Sequence, residues 1–214
     1  MVKLSDEARV RKITLPGGMV QASVGPKGRL VALSDGPGGR GYLVCDWCGW
    51  AAATTARAPR SHDHLLRVGK QCNGKLTRVD LAHRFETDLL SVDVRPHSMS
   101  VPEQTWQSVL YAMLEAASSS LEIARDDIGG TVRATGPGSR ALALFDTVPG
   151  GGGNVLRIEE RLEDVLKEAL RRVENCECGP ETSCYGCLRG YRNQREHDQL
   201  SRGAAADLLK ALGV

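Results

Sequence analysis

The chain has 214 residues, enough for one sizeable domain or for a domain with a small appendage. Hydrophobic residues form 41% and charged residues 25% of it, which excludes wholesale disorder, and a formal net charge of +2 is too small to indicate nucleic-acid binding by itself. No apolar run approaches the roughly 20 residues that span a bilayer, and the charged start lacks the apolar segment of a signal peptide. We therefore expect a cytoplasmic protein that contacts no membrane.

The first third of the chain is predicted to form short strands joined by glycine turns. Apolar and polar residues alternate over Met19–Val24, and a second strand over Arg29–Leu33 follows a turn at Gly25–Gly28. A third strand, Gly41–Cys45, ends at the first cysteine. Periodicity is absent from Trp50 to Val68, which predicts a loop held by something other than a hydrophobic core.

The rest of the chain alternates strand and helix patterns. Strands are predicted over Glu86–Val94, Gly129–Ala134 and Ala141–Asp146. Two amphipathic helices are predicted from apolar residues at three- and four-residue spacing, on the faces Trp106, Val109, Leu110, Met113, Leu114, Ala117 and Leu162, Val165, Leu166, Ala169, Leu170, Val173. A third helix, about Ser201–Leu212, closes the chain.

Four cysteines near the C-terminus have metal-site spacing: Cys176, Cys178, Cys184 and Cys187. They form C-x-C and C-x-x-C pairs close enough in sequence to converge on one tetrahedral zinc ion. A closed four-sulfur site has no position for water, so it would be structural. The alternative is a reduced or redox-active dithiol pair.

A second metal site is predicted from Cys45 and Cys48, with Cys72 as a third sulfur. The fourth ligand would be His62 or His64, and such a site would hold the patternless loop in place. The alternative is that Cys72 is a buried free thiol and both histidines lie on the surface.

These patterns predict an α+β or α/β fold in two parts. Residues 1–79 would form a β-rich zinc-knuckle region. Residues 80–214 would form an α/β domain, with a mixed sheet, two amphipathic helices and a C-terminal four-cysteine zinc lobe that carries the closing helix.

Two further features allow a functional and a structural interpretation. The loop Gly150–Gly153 lies between a strand and a helix, where free amides bind anions, but it also fits a tight crossing that needs positive φ angles. His83, Asp88 and Asp146 could form the site of a metal-dependent nuclease or hydrolase, or could be buried polar residues that tie strand ends.

Positive charge is concentrated in two regions. Arg57–Arg84 holds seven basic residues against two acidic ones, and Arg189–Arg202 follows the last cysteine. Either region could contact DNA phosphates or a partner, or could be a solvated surface.

Several segments together resemble a known family, from about Tyr42 to the C-terminus. They are C-D-W-C-G, L-A-H-R-F-E-T-D, F-D-T-V-P-G-G-G-G, C-E-C-G-P-E-T-S-C-Y-G-C-L and Y-R-N-Q-R-E-H-D-Q-L-S-R. The chain resembles the zinc-binding C-terminal domain of mitomycin-repair-factor-type DEAD/DEAH-box helicases, a former domain of unknown function that is also found in the helicase-partner subunit of DISARM phage defence. The resemblance implies zinc on the four C-terminal cysteines and a superfamily-2 helicase as partner.

The chain itself has no Walker motif or helicase box, so we expect ATP-driven work to belong to a separate polypeptide. Whether the chain is a short subunit or a piece of a larger protein stays open. We predict a non-catalytic accessory module in DNA repair or anti-phage defence, with the nuclease or hydrolase and a purely protein-binding adaptor as alternatives. His197 is a candidate to hydrogen-bond a zinc-bound sulfur.

Overall fold

A computed structural model describes residues 2–54, 58–97, 101–136 and 139–214. Its strands are β1 (Val2–Lys3), β2 (Arg9–Leu15), β3 (Gly18–Ser34), β4 (Tyr42–Cys45), β5 (Ala51–Ala53), β6 (His62–Asp63), β7 (Gln71–Cys72), β8 (Leu76–Val79), β9 (Leu81–Pro96), β10 (Ile128–Gly136) and β11 (Ser139–Asp146). Its α-helices are α1 (Glu103–Ser120), α2 (Asn154–Glu160), α3 (Leu162–Glu174) and α4 (Arg202–Leu212), and 3-10 segments cover Pro37–Gly39, Arg125–Asp127 and Tyr191–Gln199.

Contacts divide the chain into two compact units. The smaller unit is Val31–Arg84, and the larger unit combines Val2–Leu30 with Phe85–Val214. The sequence predicts a boundary between two domains at residues 79 and 80. That boundary stays a prediction. The mixture of strands, helices and two cysteine clusters confirms the predicted fold class.

The larger unit is built on a mainly antiparallel sheet whose described strands run in the order β1-β3-β9-β11-β10, with β2 paired to β3. Strand β11 pairs with β9 through Leu144↔Leu90 and with β10 through Leu144↔Gly130. Gly130 lets α1 approach the sheet, because a Cβ there would lie 2.7 Å from Leu110 Cδ1. The central strands are therefore covered by helix α1, and their apolar side chains enter the core.

Helix α1 is the centre of that core. All six residues of its predicted apolar face are buried, and it contacts α3, α4 and β10. The predicted second helix corresponds to α3, which carries its whole predicted apolar face, and the separate short helix α2 ends just before it at Glu160. The closing helix α4 begins one residue after the predicted start, with Ser201 as its N-cap.

The smaller unit holds short strands around the first cysteine group. Strand β4 pairs with β5 and β8, and β6 pairs with β7 through His62↔Cys72. The segment predicted as an irregular loop thus contains two short strands, β5 and β6. Cys45, Cys48 and Cys72 form a buried cluster of their own, as expected for a unit with little apolar core.

The predicted turn at Gly25–Gly28 is wrong, because β3 runs without interruption through these residues. Gly28 is needed for a close approach: a Cβ there would lie 2.5 Å from Leu89 Cβ. Lys27 takes a positive φ of 54° within the continuous strand. Among the described residues, no helix is long and apolar enough to cross a membrane.

Candidate metal centres

The four C-terminal cysteines converge on one point. The Sγ–Sγ distances are 3.5 Å for Cys176–Cys178, 3.4 Å for Cys176–Cys184, 3.8 Å for Cys178–Cys187 and 3.9 Å for Cys184–Cys187. Four sulfurs about 2.3 Å from one zinc ion lie about 3.8 Å apart in a tetrahedron. All four thiols are free, and their separations are far from the roughly 2 Å of a disulfide. The donor set therefore fits zinc.

Local backbone structure presents these sulfurs. Cys176 follows the C-terminal end of α3, and Cys184 begins a tight turn in which its carbonyl accepts from the amides of Cys187 and Leu188 at 3.1 Å. The amide of Cys184 donates to Cys187 Sγ at 3.2 Å. An N–H group that points at sulfur stabilises the thiolate, as a metal site requires.

Helix α4 is tied to this lobe through Arg202. The guanidinium donates to the carbonyls of Cys178 at 2.6 Å and of Val173 at 3.0 Å. The side chain of Ser201 donates to Pro180 O at 2.9 Å and accepts from Ala204 N at 3.0 Å. Arg202 is thus a structural residue that connects the cysteine loop, the end of α3 and the closing helix.

The pKa values of two of these thiols are shifted in opposite directions. A backbone hydrogen bond from Cys178 lowers the pKa of Cys176 to about 7, whereas burial raises the pKa of Cys187 to about 12. Four adjacent thiols cannot all ionise without a positive charge between them. A divalent ion supplies that charge and holds all four as thiolates.

The second cluster brings together Cys45, Cys48, His62 and Cys72, whose ligand atoms all lie within 4.8 Å of one another. Cys48 Sγ is 3.4 Å from His62 Nε2, and Cys45 Sγ is 3.9 Å from Cys72 Sγ. All four residues are at most 6% exposed. Three sulfurs and one imidazole nitrogen form a set typical of structural zinc.

The second cluster contains His62 and not His64. His64 Nδ1 accepts from the amide of Leu66 at 3.2 Å, and His64 is not part of the cluster. The ring of His62 stacks on Trp50 at a centroid distance of 4.6 Å, and its Nδ1 is buried without a hydrogen-bond partner. The stacking on Trp50 fixes the ring, and its Nε2 faces Cys48 Sγ at 3.4 Å, where a metal ion shared with the three sulfurs would lie.

The second cluster also contains an activated thiol. Burial opposes ionisation of Cys48, but hydrogen bonds from the backbone at Leu65 and Trp50 and from the side chains of His62 and Cys45 together lower its pKa to about 6. The thiolate that a metal needs is therefore accessible near neutral pH.

The backbone amides of the glycine loop donate hydrogen bonds to two carboxylates of the chain itself. Asp146, which is fully buried, accepts from the amides of Gly152, Asn154 and Val155, and Asp88 Oδ2 accepts from Gly153 N at 3.0 Å. The positive end of α2 is thus neutralised from within. This arrangement favours the structural interpretation of both the loop and the two aspartates.

His83 is exposed on β9, whereas Asp88 and Asp146 are buried. Among the described residues, the groups able to hold a metal are the two cysteine clusters alone.

Some residues of the two basic regions are exposed, and others form hydrogen bonds or ion pairs within the chain. Six of the seven in the first region are exposed: Arg60, Arg67, Lys70, Lys75, Arg78 and Arg84. Arg57 lies outside the described residues. In the second region Arg189 donates to Ser183 Oγ at 3.0 Å and Arg192 pairs with Asp126 at 3.1 Å, while Arg195 is exposed. His197 Nε2 bonds with Gly190 O and Asn193 Oδ1, so the ring ties the 3-10 segment together.

The fold and the two cysteine clusters define a small α+β protein with two sites for a structural metal ion. Comparison with known proteins indicates a family for part of the chain: residues 109–188 match the family model of the MrfA Zn-binding domain, MZB. The chain is 30% identical to the Druantia protein DruE of Escherichia coli strain UMEA 4076-1, in an alignment of 199 positions that covers 81% of the chain. The family-model match supports the family resemblance over residues 109–188.

A solved structure shares the fold. The DUF1998 helicase MrfA bound to DNA matches 99% of the chain with a TM-score of 0.56 and 13% sequence identity. The chain spans 11% of the length of DruE and 24% of that MrfA chain. The domain match and the two clusters together give Zn²⁺ as the cofactor, with two sites, as predicted.

Proposed function

We propose that the chain is a non-catalytic, zinc-stabilised accessory module of a DNA helicase or translocase system that acts in DNA repair or anti-phage defence. The observation that carries the proposal is the closed donor set of each cluster, because four protein ligands leave a zinc ion no open position for water or substrate. Relatives support the helicase context: the matching MrfA chain is a helicase, and the module covers about a quarter of it.

The ligands of the first zinc are Cys176, Cys178, Cys184 and Cys187, and those of the second are Cys45, Cys48, His62 and Cys72. Support comes from the convergence of each set within 4.8 Å. The first zinc fixes the loop between α3 and α4, and the second takes the place of a hydrophobic core in the smaller unit. Each zinc thus positions surface groups and takes no part in a reaction.

Those surface groups contact DNA phosphates, the helicase, or both. The six exposed basic residues of the first region and Arg195 in the second present charge that no catalytic site requires. Lysine and arginine on a rigid surface bind phosphate with release of counterions, so affinity falls steeply with salt.

A salt series with labelled DNA tests the DNA contact. Replacement of Lys70 by alanine is expected to lower the slope of log K against log salt by about 0.9 on duplex DNA. Lys210→Ala is the matched control, because Lys210 Nζ pairs with Glu174 at 2.7 Å and lies on α4. DNA binding that is absent, or that does not respond to salt, would contradict the DNA half of the proposal.

Affinity capture at native expression levels tests the helicase half. Peptide sequencing is expected to return a polypeptide with Walker motifs, as a partner or as part of the same gene product. Recovery of the chain without any such polypeptide would contradict this half.

A further inference from the structure

One tryptophan of the smaller unit lies outside the apolar interior. Trp47 is 81% exposed, whereas Trp50 stacks on His62 and Trp106 of the larger unit is buried. Trp47 stands between Cys45 and Cys48, so the knuckle that carries it is fixed at both ends by the metal cluster. A large aromatic ring is therefore presented to solvent on a rigid support.

The hairpin between β6 and β7 places more apolar side chains next to the same cluster. Leu65, Leu66 and Val68 are 58%, 80% and 101% exposed. The hairpin is closed by hydrogen bonds from His64 N to Lys70 O at 2.8 Å and from Lys70 N to Arg67 O at 3.1 Å. Its backbone is thus ordered although its side chains lie in solvent.

Knuckle and hairpin are direct neighbours. A Cβ added at Gly49, the residue after Cys48, would lie 3.6 Å from Leu65 Cδ2. Trp47 and the three exposed apolar residues Leu65, Leu66 and Val68 are called the aromatic tip below. They belong to two segments that are joined at one metal cluster.

The charge around the aromatic tip indicates its occupant. Arg67 and Lys70 are exposed within the hairpin, and Lys75 follows the last ligand. Two carboxylates also lie near the tip, Asp46 and Asp63, which accept from Thr77 Oγ1 at 2.9 Å and from Gln71 Nε2 at 2.6 Å, so three exposed cations face two negative charges. Centres of protein–protein interfaces are depleted in lysine, whereas an exposed ring flanked by cations is typical of surfaces that bind single-stranded nucleic acid.

We propose that the aromatic tip binds single-stranded DNA, with one unpaired base stacked on the indole of Trp47 and the adjacent phosphates contacted by Arg67 and Lys70. This inference rests on the proposed DNA contact and gives it a substrate class. Bases within a duplex are already stacked on their neighbours, so the ring selects unpaired strands.

The test uses the full chain, a fluorescent oligothymidine and a duplex of equal length. Trp47→Ala is expected to weaken single-strand binding by at least about 5-fold, the effect of losing one base stack, without changing the salt slope. Trp47→Phe is expected to retain most of the affinity because it keeps a ring. Binding of the oligonucleotide is also expected to quench the fluorescence of Trp47 in the unsubstituted chain.

Leu33→Ala is the matched control, because Leu33 is 69% exposed in the same unit but lies on β3. Zinc content and melting temperature check that each variant is folded. Unchanged single-strand affinity in Trp47→Ala, or equal losses on duplex and single strand, would overturn the inference while the DNA proposal stands. Loss of helicase capture in Trp47→Ala with no effect on DNA would overturn it in favour of a protein-docking tip, and absence of all DNA binding would overturn both proposals.

Discussion

Replacement of Asp146 by asparagine separates the structural interpretation of the glycine loop from the catalytic one. The buried carboxylate accepts from Gly152 N at 2.5 Å, from Asn154 N at 3.1 Å and from Val155 N at 3.1 Å. Asparagine keeps the shape, but its amide nitrogen cannot accept a hydrogen bond. At least one of these buried N–H groups then faces a donor, and the others bond to a neutral oxygen.

The cost follows from these contacts. A hydrogen bond to a charged group contributes about 1.5–3 kcal/mol against about 1 kcal/mol for a neutral one, and a buried donor without a partner costs about 1–3 kcal/mol. Together these changes lower the free energy of unfolding by about 3 kcal/mol. At about 2–4 °C per kcal/mol for a domain of this size, the melting temperature falls by about 6–12 °C.

Thermal melting followed by circular dichroism, at a fixed zinc concentration, measures the effect. Asp198→Asn is the control, because Asp198 is exposed on the 3-10 segment, and we expect it to melt with the unsubstituted protein. An unchanged melting temperature for Asp146→Asn would refute the reasoning. If such a variant also lost a DNA-cleaving turnover, the nuclease alternative would replace the structural one.

The metal centres and the closing helix give further expected outcomes. Substitution of His62 by alanine is expected to reduce bound zinc from two ions to one, while His64→Ala keeps both, as measured by elemental analysis; equal zinc in the two variants would contradict the ligand choice. Arg202→Ala is expected to lower the free energy of unfolding by about 2 kcal/mol, because two carbonyls lose a charged donor. Arg195→Ala, at an exposed position, is expected to be neutral in the same denaturant titration, and equal effects of both arginines would contradict the bracing role.

Features that depend on local spacing could be predicted from the sequence. The buried face of α1 follows from apolar residues three and four positions apart, and all six predicted residues lie in the core. The C-terminal cysteine set lies within one short loop, so its convergence needs no information from distant parts of the chain. Spacing alone was sufficient in both cases.

Features that depend on distant contacts could not be predicted. Nothing near Gly28 shows that its missing side chain makes room for Leu89, so a turn was predicted where β3 continues. The presence of His62 rather than His64 in the second cluster depends on the pairing of His62 with Cys72 across two very short strands. The role of Asp88 likewise depends on a glycine loop that begins about 60 residues later in the chain.

The most direct test of the account is the zinc content of freshly purified protein, measured together with its free thiols. We expect about two zinc ions per chain and seven cysteines that become reactive only after a strong chelator removes the metal. Protein without bound metal, whose cysteines are joined in pairs as disulfides, would contradict it.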